Sequence, residues 1–81
     1  LFAISTSGNS INIVDAIEAA NKINIKTIGL LGKDGGKCFN LCDQKIVIPS
    51  MITARIQELH IFTIHVLTLC IEEYLKIKNF I

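Results

Sequence analysis

Three short apolar runs, Leu1–Ile4, Lys26–Leu31 and Gln44–Ile48, are separated by segments of helical spacing, and this rhythm leaves few folds open. Each run has the length of a buried strand rather than a helix. Behind the first, Ile13, Val14, Ile17 and Ala20 recur at the spacing of one helix face. Ser10 or Asn12 is placed to cap that helix, Asp15 and Glu18 stand in its early turns, and the pattern fades across Asn21 to Asn24. Gly32 to Gly36 reads as a loop and Lys37 to Leu41 as a short helix. The third run is β-branched and stopped by Pro49. Ser50 to Ile52 then connects to a long final helix, capped by Thr53 or Ser50 and running to about Lys78. Strands alternating with helices predict a parallel sheet in an α/β architecture, joined by right-handed crossovers. No repeat, low-complexity tract or charge run interrupts the chain, so residues 1–81 are expected to form one unit without an internal boundary.

Composition narrows what such a unit does. The chain has 81 residues, of which 51% are hydrophobic, with a mean hydropathy of +0.52. That is more apolar material than a lone small domain needs, because small domains bury a modest fraction of their surface. The surplus is expected to face a partner subunit or the rest of a longer protein. The opening Leu1-Phe2-Ala3-Ile4, without Met and already inside a strand pattern, points to a longer protein. Eight basic and seven acidic residues leave a net charge of +1, with no basic stripe or aromatic ladder to meet a nucleic acid. Cys38, Cys42 and Cys70 cannot all pair, and the lone CxxxC spacing has no matching second pair. Reduced thiols in a cytoplasmic protein are expected. No signal peptide is visible. Ile61 to Ile71 is apolar but interrupted by Thr63, His65 and Thr68 and followed by Glu72 and Glu73, which predicts a buried helix rather than a membrane span.

The segment Ser5-Thr6-Ser7-Gly8-Asn9-Ser10 lies between the end of a strand and the start of a helix. Ligands of open parallel sheets bind beyond the carboxyl ends of the strands. A helix N-terminus there offers free amides and a positive dipole end. The hydroxyls of Ser5, Thr6, Ser7 and Ser10 add donors for phosphate oxygens, and Gly8 lets the backbone approach closely. The loop holds no Lys or Arg and no GxxxxGK(S/T) pattern. It therefore suits a phosphate monoester on a small sugar better than a triphosphate with Mg²⁺. The plainer alternative is an ordinary helix cap with a polar turn.

On the final helix the polar residues to weigh are Gln57, His60 and His65. Gln57 and His65 are roughly 80° apart around the axis and about 12 Å along it. His60 lies roughly 60° from Gln57 on the other side. Spacing alone does not choose between the histidines, and each is equally a core or interface residue. Lys33, Asp34 and Arg55 read first as solvated side chains.

Several blocks together resemble a known family. Ile4-Ser5-Thr6-Ser7-Gly8-Asn9-Ser10, followed by Ala16-Ile17-Glu18-Ala19-Ala20, resembles the phosphate-binding signature of SIS (sugar isomerase) domains. Thr27-Ile28-Gly29-Leu30-Leu31-Gly32-Lys33-Asp34-Gly35-Gly36-Lys37 fits in the right order. Ala54-Arg55-Ile56-Gln57-Glu58-Leu59-His60, then Ile64-His65, resembles the phosphoheptose isomerase branch. Ile11 departs from the pattern, since relatives often carry Pro there, a preorganised but dispensable first helical residue. The tail from Cys70 matches only in apolar character.

The resemblance implies a three-layer, flavodoxin-like parallel sheet flanked by helices, here incomplete and corresponding to the C-terminal part of a subunit. It implies interconversion of sedoheptulose 7-phosphate with D-glycero-D-manno-heptose 7-phosphate, toward lipopolysaccharide or related heptoses. Such an isomerisation moves a proton between adjacent carbons through an enediol and needs a base and oxyanion stabilisation. Ser5, Thr6, Ser7 and Ser10 would hold the phosphate. Gln57 would contact both substrate and a zinc ion, and His65 would be a zinc ligand or acid–base residue. As a zinc ligand His65 is neutral imidazole and is not a free base in the same state. The remaining His and Glu ligands would come from an earlier helix absent from this sequence, and two ligands alone make a poor zinc site. Weak zinc binding or none is therefore expected of this chain, and the isolated fragment is expected to be inactive. His60 is expected at an interface or behind the site. A homo-tetramer is implied, with Ile61, Phe62, Ile64 and Leu67 as packing candidates. The competing readings are a sugar-phosphate-sensing regulator, a module that binds a replication-initiator protein, or a scaffold used only for assembly. The Gln57 and His65 pair favours the enzyme.

Overall fold

In the computed structural model, which describes all of Leu1–Ile81, the chain runs through β1 (Phe2–Ser5), α1 (Ile11–Lys22), β2 (Ile28–Gly32), a 3₁₀ turn (Lys37–Asn40), β3 (Gln44–Ile48) and α2 (Thr53–Ile77). The three strands are all parallel, in the order β1-β2-β3. Ser5 pairs with Leu31, and Leu31 with Val47. The α/β class and the layering therefore agree with the sequence reading.

Alternation along the strands explains the layers. Ala3 and Leu31 join Ile17 of α1 and Cys38 and Cys42 near the 3₁₀ turn in one buried cluster. Residues of the opposite parity face α2, where a Cβ on Gly32 would run into Ile56. Leu30 and Ile56 are fully buried. At 1.5 Å per residue the 25 residues of α2 run about 38 Å, while a five-residue strand spans about 17 Å. The helix outruns the sheet, which leaves Phe62, Leu69, Ile71 and Tyr74 exposed. It also leaves an apolar groove of about 530 Å³ between its later turns and Phe2 and Ile4 of the edge strand with Ile28 of β2. No helix is long and apolar enough to cross a membrane.

The element ends differ from the sequence reading in instructive ways. β2 begins at Ile28 rather than Lys26, because the amide and hydroxyl of Thr27 both donate to the Asp43 carboxylate, at 2.8 and 3.2 Å, instead of opening the ladder. β1 extends through Ser5, so the polar loop starts one residue later than expected. Ser10 sits at the cap position of α1, but its side chain makes no capping bond. Asp15 and Glu18 stand in the early turns as expected, just beyond the first. Thr53 is inside α2 rather than its cap. Ile52 holds that position, and the Ser50 hydroxyl accepts the Ile52 amide at 3.1 Å in a local turn. Both helices close alike, with Asn24 and Asn79 in left-handed conformation at φ 60 and 61°. The following amides reach back five residues, Ile25 to the Ala20 carbonyl and Phe80 to that of Leu75, both at 2.9 Å. Asn tolerates this geometry better than most residues, which stops each helix where the expected fade lay.

Candidate functional site

The carboxyl end of β1 hands the chain to a loop that is tied down mostly by its own side chains. The Ser5 hydroxyl accepts the Gly8 amide at 3.0 Å, and the Ser7 hydroxyl accepts the Asn9 amide at 3.1 Å. The Ser5 and Ser10 hydroxyls lie 3.0 Å apart and share a hydrogen bond. A second loop, after β2, braces the first. The Cys38 amide donates to the Gly8 carbonyl and the Lys37 amide to the Asn9 side chain, each at 2.9 Å. The backbones approach so closely that a Cβ on Gly8, at φ +70°, would stand 1.9 Å from the Gly35 carbonyl oxygen.

This bracing revises the expected row of free donors. The amides of Gly8 and Asn9 are already paired, while the Ser7 oxygen accepts one of them and keeps its proton free to donate. What stays available is narrower. The amides of Ile11 and Asn12, the first of α1, have no partner in the chain. Such amides are an anion site in their own right. If Ser5 donates to Ser10, the Ser10 proton is free to point outward.

Beyond the loop lies an open cavity of about 480 Å³, between the sheet edge and α2. Its polar wall is Ser5, Thr6, Ser10, Gln57 and His60. Ile4, Ile61 and Ile64 supply the apolar remainder. On α2, Gln57, His60, Ile61 and Ile64 are spaced i, i+3, i+4, i+7, one face of a helix. The structure thus brings four of the expected residues together: Ser5, Thr6, Ser10 and Gln57. Ser7 and His65 do not line this cavity, and His65 is exposed. No Lys, Arg, Asp or Glu lines the cavity, so an anion here would rest on hydroxyls, amides and the α1 dipole.

His60 is the residue that sequence reasoning undervalued. It is 2% exposed, buried within this chain rather than at an interface. Its Nε2 lies 2.7 Å from the Leu31 carbonyl oxygen at the end of β2. The available signal was its three-residue spacing from Gln57. Lys33 takes a left-handed conformation at φ 54°, and Asp34 accepts the Gly36 amide at 2.9 Å, so both serve the bracing loop. Arg55 and Glu58 pair on the exposed surface of α2 at 2.7 Å. No three His, Cys, Asp or Glu side chains come together to hold a metal ion. Gln57 and His65 alone do not fit a zinc ion, which takes at least three protein ligands.

Comparison with known proteins follows the same lines. No protein-family model matches the chain. A phosphoheptose isomerase of Helicobacter pylori is 49% identical over 79 residues, 98% of this chain and 41% of that protein. Another from Nitratiruptor sp. is 56% identical over 73 residues, 90% of this chain and 39% of that protein. The solved phosphoheptose isomerase of Neisseria gonorrhoeae superposes with a TM-score of 0.85 at 44% identity, covering 88% of this chain and 41% of that one. The chain thus spans about two fifths of the length of the relatives it matches. Over nearly its whole length the chain is, in sequence and in fold, a homologue of about two fifths of a phosphoheptose isomerase.

Proposed function

We propose that this chain supplies the phosphate-holding part of a phosphosugar isomerase that interconverts sedoheptulose 7-phosphate and D-glycero-D-manno-heptose 7-phosphate. The observation that carries this reading is the shared cavity: Thr6, Ser10 and the open start of α1 on one side, Gln57 on the other. The phosphate sits where donors converge and charge is favoured by the helix dipole. The sugar then extends toward α2, where the Gln57 carboxamide offers both a donor and an acceptor to its hydroxyls. Ser5 and Ser7 accept loop amides and so hold the loop in shape, and the Ser7 proton stays free to donate to the phosphate.

The proton shuttle between adjacent carbons needs a base. No carboxylate lines the cavity, so an acidic base must come from outside this chain's own wall. His65, by family resemblance, is the residue of this chain for acid–base work or zinc ligation. Zinc would stabilise the developing oxyanion. Its remaining ligands must come from elsewhere. Assembly as a homo-tetramer is supported by the apolar residues that α2 leaves exposed, Phe62 among them. A cytoplasmic place in heptose synthesis for lipopolysaccharide belongs to the same proposal.

The test is a titration of the chain with sedoheptulose 7-phosphate followed by amide NMR. The expected response is concentrated at Thr6 and Ser10 to Asn12, with Ser10→Ala weakening binding. Shifts confined to other parts of the fold would refute the assignment.

A further inference from the structure

His60, a residue of the cavity wall, leaves one buried acceptor unanswered. Its Nε2 is 2.7 Å from the Leu31 carbonyl oxygen. A carbonyl oxygen only accepts, so this contact assigns the hydrogen to Nε2. In the neutral ring the lone pair then belongs to Nδ1. That Nδ1 is the one buried side-chain polar atom of the whole chain without a hydrogen-bond partner. Buried polar groups are ordinarily paired, and each exception asks for a cause. Here the residue lines the same cavity as Thr6, Ser10 and Gln57. Its anchor, Leu31, pairs with Ser5 across the sheet, so the ring is held level with the end of the loop.

We propose that His60 Nδ1 accepts a hydrogen bond from a hydroxyl of the bound sugar phosphate, which makes His60 a second substrate contact on α2 beside Gln57. The inference rests on the sugar-phosphate reading and deepens it. A lone pair accepts from a hydroxyl but repels the oxygens of a phosphate dianion, which have no hydrogen to give. The cavity therefore has two chemically distinct ends. Amides and hydroxyls at the start of α1 take the ester's phosphate, and the Nδ1 lone pair takes the polyol. An acceptor fixed by the sheet fixes the direction in which the sugar lies. The Nε2 bond to Leu31 prevents the ring from turning over to offer its donor instead.

The experiment follows the His60 ring nitrogens by long-range ¹H–¹⁵N correlation, alone, with inorganic phosphate, and with sedoheptulose 7-phosphate. The expected result is an Nε2–H tautomer whose Nδ1 signal moves upfield with the sugar phosphate and stays put with inorganic phosphate, while the loop amides respond to both. In His60→Gln the amide nitrogen can still donate to Leu31, but the Nδ1 lone pair is gone. Its affinity for the sugar phosphate should fall about tenfold, the worth of one hydrogen bond, with inorganic phosphate binding unchanged. Loop shifts with a stationary Nδ1 signal overturn the His60 contact and leave the phosphate site standing. An Nδ1 already hydrogen-bonded before ligand, and unmoved after, assigns it to a buried water and overturns the contact likewise. Silence at the loop amides removes the sugar-phosphate reading and the His60 contact with it. Should His60→Gln fail to fold, the nitrogen signals of the unmodified chain decide the matter alone.

Discussion

Replacing Gly8 by alanine tests whether the two loops at the carboxyl edge of the sheet act as one body. Two penalties add at this position. Its φ of +70° lies in the left-handed region, where a residue with a Cβ costs about 1–2 kcal/mol. The new Cβ would stand 1.9 Å from the Gly35 carbonyl oxygen and 2.4 Å from its carbon. These are backbone atoms and cannot rotate away, so one loop must back off by about an ångström. Overpacking of this kind costs about 1–3 kcal/mol. The sum, about 2–5 kcal/mol, is a large part of the roughly 4–12 kcal/mol that stabilises a chain of this length. Urea unfolding followed by far-UV circular dichroism measures it as a lowered midpoint at unchanged slope. Amide spectra below the transition should show the disturbance at Gly35, Gly36 and Cys38, whose backbones meet Gly8. An unchanged midpoint, with those amides undisturbed, would refute the claim that the second loop braces the first.

Two further outcomes follow from named groups. The Thr27 amide, foremost, holds the Asp43 carboxyl below the usual carboxylate range against its own partial desolvation, helped by the Thr27 hydroxyl, Lys26 and the N-terminal amine. Its folded pKa is depressed, so the stability it contributes is present above the unfolded value of about 3.9 and is lost as pH falls through the folded one. Urea midpoints measured downward from pH 5 should decline less steeply in Asp43→Asn than in the unmodified chain, and equal slopes would count against the assignment. Burial, chiefly, pushes the Cys38 and Cys42 thiols up, while Cys70 is exposed. A disulfide exchange reagent at pH 8 should label one thiol quickly and two slowly, and Cys70→Ser should abolish the fast phase alone. A fast phase that survives the substitution contradicts the burial of the other two.

The strands and helices were legible in the sequence because their signals are local. Ile13, Val14, Ile17 and Ala20 mark one face of α1 wherever that helix goes, and β-branched residues mark β3. The differences come from partners that local spacing does not display. Thr27 leaves the expected strand because the Asp43 carboxylate, sixteen residues on, captures its donors. Ser10 makes no capping bond to α1 and meets the Ser5 hydroxyl across the loop instead. Ser7, expected as a phosphate donor, also accepts the Asn9 amide, a second role that the residue pattern does not show.

Residue order by itself determined the class of fold, the position of the polar loop at a strand's end, and the candidates on the last helix. Periodicity and composition carry that information without reference to distant partners. Only the tertiary structure decided which of those candidates meet. The rotation of α2 about its axis is set by long-range packing, with Ile56 beneath Gly32 and His60 fastened to Leu31. That rotation turns Gln57 and His60 toward Ser10 and leaves His65 facing outward, and contacts between residues some thirty positions apart leave no mark in local spacing.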